Sequence, residues 1–197
     1  MVIQPLPGIG DMVWHVPHLA ALAELFGPLT MVAKARSQSH RLLGGMDWFA
    51  GHINLERGQG GHRTLRHDGV MGIVRLARDL RPHQFETAIV LHHSTRYVLS
   101  CRLAGIPRVL SYGEGLQKLA SNAGPSLEPP IRGRHPIELA NDFLAALGKP
   151  VAEIAPRLVA PEAARGSIEA DCGDRPGPWI AFAVGTSPSF GSGKMKT

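Results

Sequence analysis

Asp11 is the residue best placed for chemistry, because it follows a short apolar run and a turn that contains two glycines. A helical pattern of apolar residues begins at this aspartate, so we expect Asp11 to be the N-cap of the first helix. Gly8 and Gly10 lack Cβ atoms where the backbone turns and where a ligand would approach. Open α/β sheets bind ligands at such strand–helix junctions. Asp11 is therefore a structural cap alone or also a carboxylate that faces a ligand, and local features alone favour the cap.

Two histidines follow Asp11 on the same predicted helix. His15 comes one turn later, on the face that carries Asp11. It could orient the carboxylate, although a histidine in such a position more often packs against its neighbours. His15 and His18 form an HxxH pair, but a metal site needs further ligands and the spacing supplies none. We therefore expect no metal.

A second group of polar residues follows the apolar run at 85–91: His92, His93, Ser94 and Arg96. The carboxyl end of a parallel strand is where the ligand crevice of an α/β sheet lies. Arg96 could bind a phosphate group through two hydrogen bonds. A strand end that is simply exposed to solvent explains the same residues equally well. The sequence therefore allows either a ligand-binding site or a solvated strand end at 92–96.

The composition indicates a globular chain with an anionic partner. Of its 197 residues, 44% are hydrophobic and 19% are charged, which is enough apolar material for a core. The formal charge of +5 favours a nucleotide sugar, a phosphorylated glycolipid or a membrane surface. The basic residues form no block and no stripe with aromatic residues, which argues against nucleic acid.

The apolar runs and the cysteines predict the cellular compartment of the protein. No apolar run approaches the ~20 residues of a membrane span, and the N-terminal segment lacks a signal-peptide pattern. Cys101 and Cys172 lie far apart with no CxxC pair, so we expect reduced thiols in the cytoplasm. Any membrane contact is expected to be peripheral.

Strand and helix patterns alternate along the chain. Apolar runs predict strands at 2–6, 29–33, 52–55, 85–91, 108–112 and 178–184. Helical periodicity predicts helices at 11–26, 68–80, 97–104 and 135–147, the second of them capped by Asp68. This alternation is typical of a Rossmann-like, doubly wound α/β sheet. The basic, glycine-rich segment 57–67 is predicted to be a loop.

Two stretches of the chain resemble the ADP-heptose:lipopolysaccharide heptosyltransferase-like family, the family 9 glycosyltransferases. The first is GIGDMVWHVPHLAAL, where Gly10, Asp11, Pro17 and Leu19 match the family's Gly-Asp turn and the helix after it. The second is FETAIVLHHSTRYVLSCRLAGIPRVLSYGEG, with a helix that finishes in Leu-Ala-Gly. Here Ser111 stands where the family has a glycine.

The resemblance implies a Rossmann-like acceptor-binding domain at 1–160, a linker at 161–177 and the start of a donor-binding domain at 178–197. These would belong to a two-domain, B-type glycosyltransferase that transfers heptose from ADP-heptose to a lipopolysaccharide-type acceptor at the inner face of the inner membrane. It implies no cofactor besides the nucleotide sugar. The family's Lys-x-Trp segment is missing after residue 187, which predicts a C-terminal truncation and a chain that is inactive by itself.

The resemblance implies that Asp11 is the catalytic base. From their positions beside the turn, on the first helix and at the strand end, the residues expected to bind substrate are Gly8, Gly10, His15, His92, His93 and Arg96. Thr186 and Ser187 are expected to receive the phosphates of the nucleotide.

Two alternatives remain open. Gly8-x-Gly10-x-x-Val13 lacks the third glycine of a dinucleotide fingerprint. Lys34 stands where an NAD enzyme has an acid, so an oxidoreductase would have to use NADP, with Lys34 and Arg36 near the ribose 2′-phosphate. The other alternative is a non-catalytic fragment that folds and binds acceptor glycans.

Overall fold

The computed structural model of the chain describes residues 1–6, 8–58, 65–152, 154–175 and 177. The chain divides into two compact units, Met1–Glu162 and Ala163–Thr197. The first unit contains a parallel sheet with helices on both of its faces. In the second unit, the described residues belong mainly to a helix that starts at the boundary, Glu162–Cys172, which has no buried side chain. The strand predicted at 178–184 lies outside the described residues.

The sheet has five strands in the order β3-β2-β1-β4-β5, and every neighbouring pair is parallel. The strands are β1 (Val2–Ile3), β2 (Leu29–Ala33), β3 (Phe49–Asn54), β4 (Thr87–Val90) and β5 (Arg108–Ser111). Because β1 pairs with β2 on one side and with β4 on the other, the strand order reverses direction between β1 and β4. Such a switch point opens a crevice at the carboxyl ends of the two strands. The predicted doubly wound α/β fold is confirmed.

Helices cover both faces of this sheet. The helices of the first unit are α1 (Ile9–Trp14), α2 (Val16–Phe26), α3 (Ser39–Leu42), α4 (Met71–Leu80), α5 (Thr95–Leu103), α6 (Gln117–Ala120) and α7 (Pro136–Ala146), with 3-10 turns at Ala35–Ser37 and Arg81–His83. The helix at the unit boundary, Glu162–Cys172, is α8.

Two apolar clusters hold these layers together. Successive strand residues point to opposite faces, so Val2 packs in one cluster and Ile3 in the other. The first cluster takes its helical residues mainly from α2 and α7, and the second takes them mainly from α4 and α5. The first unit is therefore a three-layer sandwich with the sheet in the middle.

The single first helix predicted from the sequence is two helices in the structure. Pro17 has no N–H to donate to the carbonyl of Val13, and the chain turns at His15, whose N–H donates to the Met12 carbonyl at 3.1 Å. The first helix begins at Ile9 with Gly8 as its N-cap. The prediction that Asp11 is the N-cap is therefore wrong, because Asp11 lies in the first turn of the helix.

The prediction that Asp68 caps the helix at 68–80 is also wrong. Helix α4 begins at Met71, and its N-cap is Val70. The Asp68 carboxylate instead accepts the N–H of Leu65 at 2.9 Å and the N–H of Gly58 at 3.3 Å. These bonds lower the pKa of Asp68, with the Leu65 bond as the largest cause. Asp68 thus joins the two described ends of the predicted loop.

Candidate functional site

Asp11 projects from the first turn of α1, just beyond the carboxyl end of the central strand β1. Its Oδ2 accepts the N–H of Gly8 at 2.9 Å. A Cβ atom at Gly8 would lie 2.7 Å from this oxygen, so glycine is the residue that allows the close approach. The Asp11 carboxylate is half-buried. It is consequently held in place by backbone and still reachable from solvent.

A cavity of about 700 Å³ lies between α1 and the N-terminus of α7. Its wall is formed by Gly10, Asp11, Trp14, His15, His135, Pro136, Ile137, Glu138, Asn141 and Ile154. This volume lies within the range of small-molecule sites, which are mostly apolar with a few well-placed polar groups. We call it the α1–α7 cavity. The sequence predicted Asp11 and His15 near a ligand, whereas it gave no role to Trp14, His135 or Glu138.

His15 is buried at the wall of the α1–α7 cavity, with 1% of its surface exposed. Its Nδ1 lies 2.6 Å from the backbone oxygen of Asp11. A carbonyl oxygen only accepts, so Nδ1 carries the proton and Nε2 is left as an acceptor. Burial lowers the pKa of His15 to about 4, which keeps the ring neutral near pH 7. His15 therefore contacts the backbone of Asp11 rather than pairing with its carboxylate.

A second feature, which we call the basic edge, gathers Lys34, Arg57, His92 and Arg96 beyond the carboxyl ends of β2, β3 and β4. Burial is the largest cause of the lowered pKa values of Lys34 and Arg96, and the charge of Arg57 is the next. Burial and then the charges of neighbouring residues, Arg57 and Lys34 among them, lower the pKa of His92 to about 3. The cationic groups of the basic edge therefore destabilise one another, and the Asp68 carboxylate, 3.9 Å from Nε of Arg57, offsets part of this repulsion.

The two arginines of the basic edge are held by the protein itself. Nη1 of Arg57 donates to the hydroxyl of Tyr97 at 2.9 Å, and the guanidinium carbon lies 5.6 Å from the centre of that ring. Nη2 of Arg96 donates to the carbonyls of His67 at 2.9 Å and Gly69 at 2.7 Å. Nη2 of Arg96 thus holds the segment before α4. Since each forked donor pair of a guanidinium includes Nη2, Arg96 keeps only single hydrogen bonds from Nη1 and Nε for a phosphate.

The two histidines after β4 stack on each other, with ring centres 4.2 Å apart. Nδ1 of His92 accepts the N–H of Ser94 at 2.9 Å, and the ring meets Tyr97 edge-on. His93 is exposed, whereas His92 is half-buried. Because the pKa of His92 is low, this ring is neutral near pH 7 and contributes hydrogen-bonding and packing groups rather than charge.

Arg57 lies in the segment 57–67, which the sequence predicts to be a loop and to which it assigns no function. The register of β3 with β2, which pairs Asn54 with Ala33, places Arg57 three residues past the same edge from which Lys34 projects. The available signal was the position of Arg57 directly after a predicted strand. Thr186 and Ser187, predicted to bind phosphate, lie outside the described residues.

In the part of the chain that the structure describes, no three histidine, cysteine, aspartate or glutamate side chains lie together in a way that would hold a metal ion. Within the same residues, no helix is both long enough and apolar enough to cross a membrane.

The fold is similar to two solved glycosyltransferase structures. One is an ADP-heptose LPS heptosyltransferase II from E. coli, with a TM-score of 0.57, 19% sequence identity, and alignment over 86% of this chain and 49% of that chain. The other is a glycosyl transferase of family 9 from Veillonella parvula DSM 2008, with a TM-score of 0.59, 17% identity, and coverage of 87% and 48%. No protein-family model matches the chain, and no curated protein sequence does.

The fold is that of the N-terminal half of a B-type glycosyltransferase. This chain spans about half the length of each of the two solved chains. Because the sequence identities are 19% and 17%, the similarity to these structures establishes the fold. The resemblance to family 9 glycosyltransferases is therefore confirmed for the fold.

Proposed function

We propose that this chain is the acceptor-binding half of a glycosyltransferase, in which Asp11 is the base that activates the acceptor. The observation that carries the proposal is the position of the Asp11 carboxylate, half-buried on the wall of the α1–α7 cavity beside the switch point of the sheet. Ligands of open α/β folds bind at such a point. The fold shared with two glycosyltransferases favours sugar transfer over the other chemistries that this sheet can host.

In the proposed reaction, the acceptor hydroxyl oxygen forms a bond to the anomeric carbon of the donor sugar. The bond from that carbon to the nucleotide diphosphate breaks, and the diphosphate leaves with the electron pair. Asp11 takes the hydroxyl proton as the new bond forms, which is general-base catalysis. The hydrogen bond from the Gly8 N–H to one carboxylate oxygen fixes the side chain for this role.

The donor proposed from the resemblance is ADP-heptose, and the proposed acceptor is a lipopolysaccharide-type glycan at the inner face of the inner membrane. The basic edge supports an anionic acceptor, because three cationic side chains gather there and the Asp68 carboxylate balances the charge of one of them. His92, His93 and Arg96 would surround the bound anion, and Thr186 and Ser187 would contact the phosphates of the donor. The proposal needs no metal or redox cofactor.

An NADP-dependent oxidoreductase is disfavoured by the local structure at α1. Dinucleotide enzymes of this fold place the pyrophosphate against the N-terminus of the first helix, with N–H groups pointing at it. In this chain the Gly8 N–H already binds the Asp11 carboxylate. A pyrophosphate there would meet a negative charge within the first turn of the helix.

Ligand binding to the purified chain tests the proposal. We expect deacylated lipopolysaccharide core oligosaccharide to raise the melting temperature, while NADPH leaves it unchanged. ADP-heptose is expected to give little stabilisation by itself, because this chain spans only about half the length of the two solved glycosyltransferases. Stabilisation by NADPH, or none by the core oligosaccharide, would contradict the proposal.

A further inference from the structure

We infer that one outer surface of the first unit docks on an anionic lipid bilayer. This surface, which we call the α4–α5 surface, consists of the exposed side chains of α4 and α5 and of Val70, the residue before α4. Helices α4 and α5 contribute to the second apolar cluster, so the α4–α5 surface lies on the opposite face of the sheet from α2 and α7. Only the link from this membrane to the acceptor rests on the proposed function.

Five large apolar side chains are exposed on the α4–α5 surface: Val70, Met71, Val74, Leu99 and Leu103. Val70 is 81% exposed and Leu103 is 51% exposed. Val70 and Val74 are one helical turn apart, as are Leu99 and Leu103, so each pair lies on a single face of its helix. Single exposed apolar residues are common on protein surfaces, whereas a group of them on one surface indicates a contact.

Hydrogen bonds between the two helices hold these side chains in one surface. The Ser100 hydroxyl of α5 donates to the Ile73 carbonyl of α4 at 3.1 Å. At the carboxyl ends of both helices, Nη2 of Arg81 donates to the Leu103 carbonyl at 2.9 Å. The exposed faces of α4 and α5 therefore lie side by side.

The charges of the α4–α5 surface are mainly positive. Arg75 and Arg78 are exposed on α4, and Arg102 is exposed on α5. The acid within these two helices is Asp79, whose carboxylate accepts two hydrogen bonds from Arg66. Apolar side chains beside arginines are typical of helices that lie in the interface of a membrane, where the arginines attract anionic lipids.

The same charges favour a bilayer over a second copy of the chain. A symmetric dimer buries the same patch on both subunits, so a dimer through the α4–α5 surface would bring two sets of arginines together, which is unfavourable. A bilayer with anionic lipids instead offers negative charge at its surface and apolar material beneath it. Long arginine side chains keep their charged groups at the lipid head groups while neighbouring apolar side chains enter more deeply.

The α4–α5 surface begins beside the basic edge. Nη2 of Arg96, which belongs to the basic edge, donates to the Gly69 carbonyl at 2.7 Å, and Gly69 directly precedes the exposed Val70. A glycolipid anchored in the docked bilayer would therefore have its anionic head group close to the basic edge. This is the point at which the membrane surface joins the proposed acceptor.

Co-sedimentation of the intact 197-residue chain with lipid vesicles tests the inference. The probes are vesicles of equal parts phosphatidylglycerol and phosphatidylcholine, compared with vesicles of phosphatidylcholine alone. We expect the chain to bind the anionic vesicles more tightly than the neutral ones, and we expect added salt to release it, because salt screens exposed charges. Equal binding to both kinds of vesicle, or no binding to the anionic ones, would overturn the inference.

Two pairs of variants assign the binding to the α4–α5 surface. Leu103→Ala should weaken binding to the anionic vesicles roughly three- to tenfold, because less apolar surface enters the bilayer. Its control is Leu25→Ala, which shortens a leucine that is 41% exposed on α2, at the opposite face of the sheet. Arg78→Gln should weaken binding roughly fivefold, and its control is Arg41→Gln at an exposed arginine of α3. Both controls should bind like the native chain, and the inference is wrong if Leu103→Ala and Arg78→Gln also do.

Two further outcomes separate this inference from its rivals and from the proposed function. If size-exclusion chromatography shows a dimer that Leu103→Ala dissociates, the α4–α5 surface is a protein interface and the membrane inference is refuted. If anionic vesicles bind the chain while deacylated core oligosaccharide leaves its melting temperature unchanged, the membrane surface stands and the proposed acceptor is refuted. Stabilisation by the oligosaccharide without vesicle binding would support the acceptor and refute the membrane surface.

Discussion

At the scale of single residues, the site uses side chains that are already tied to the backbone. Asp11 accepts the Gly8 N–H, and His15 donates to the Asp11 carbonyl. Each of these contacts fixes one polar atom of the side chain. Fixing the side chains in advance reduces the entropy lost when a ligand binds. The local hydrogen bonds of α1 are therefore part of the proposed site.

Asp11→Asn is the sharpest test at this scale, in a protein where the chain is joined to its donor-binding half. Asparagine keeps an oxygen that can accept the Gly8 N–H, but it cannot take a proton. We expect turnover to fall by roughly 10²–10⁴-fold, the usual effect of losing a general base, with an unchanged melting temperature. Steady-state kinetics and thermal unfolding measure the two effects.

The control for this substitution is Asp47→Asn, which changes an exposed carboxylate outside the cavity. It should keep native turnover. Native turnover in Asp11→Asn would instead leave Asp11 with a structural role only.

At the scale of elements, contacts between segments decide where helices can start. Gly72 lies near the beginning of α4, and a Cβ atom there would meet the backbone of His67 at 2.2 Å. The segment before α4 is also held by Arg96 and by Asp68. The close approach of this segment to α4 therefore depends on the missing side chain of Gly72.

Gly72→Ala should destabilise the chain by about 1–3 kcal/mol, the usual cost of overpacking. This is the reverse of the normal result in a helix, where alanine is favoured over glycine by about 0.5–1 kcal/mol. Gly10→Ala is the matched control, because Gly10 also lies in a helix and its Cβ would meet nothing within 4 Å. Urea unfolding of both variants measures the difference, and equal stabilities would show that the segment moves aside without cost.

The sequence predicted elements well where a local signal sets them. Strand β2 was predicted over its full length, because Gly27 and Pro28 separate it from the preceding helix. Helix α7 was predicted from its start, because Pro136 suits the first helical position and His135 caps it.

Predictions were wrong or missing where distant parts of the chain decide the structure. Asp68 was predicted to be a helix cap, but its carboxylate binds the N–H of Gly58, which lies ten residues away, as well as the N–H of Leu65. Strand order decides that Lys34 lies near Arg57, and the packing of α7 decides that His15 lies near His135. No local sequence pattern encodes either proximity, so the sequence could not predict the basic edge or the contribution of α7 to the cavity.

At the scale of the whole molecule, buried histidines make stability depend on pH. Burial, as the largest cause, lowers the pKa of His15 to about 4 and that of His92 to about 3, from an ordinary value of 6.5. Between about pH 6.5 and pH 4 the unfolded chain therefore binds protons at these two sites that the folded chain does not. Stability consequently rises with pH in this window and is lost on acidification.

We expect the free energy of unfolding to fall from pH 6.5 toward pH 4, with His15 and His92 together contributing up to about 2.7 kcal/mol per pH unit, the value for two protons. Burial also lowers the pKa values of His18 and His52, which add to the slope in the same direction. Denaturant unfolding at several pH values measures this slope. His92→Gln should reduce it by up to about 1.4 kcal/mol per pH unit, since glutamine keeps hydrogen-bonding atoms but does not titrate. A stability that is constant between pH 7 and pH 5 would show that both rings protonate freely in the folded chain.

The 197-residue chain is expected to have no transferase activity by itself. It spans about half the length of the two solved glycosyltransferases, and Asp11 needs an activated sugar held against the acceptor. Without that positioning, the rate advantage of proximity is lost. The measurement is a transfer assay with ADP-heptose and deacylated lipopolysaccharide core. Product that forms with the native chain and disappears with Asp11→Asn would show that the chain is a complete catalyst.

The central strand of the sheet has a consequence for synthesis on the ribosome. Strand β1 has two residues and is paired on both sides, and the bond from Met1 to the β4 residue Thr87 joins positions 86 residues apart. At about 5–20 residues per second, β4 is translated roughly 4–17 seconds after β1. During that interval the nascent chain carries an open strand edge beside apolar side chains, and such edges recruit other strands. Slower translation upstream of codon 87 would lengthen this exposure and lower the yield of folded protein.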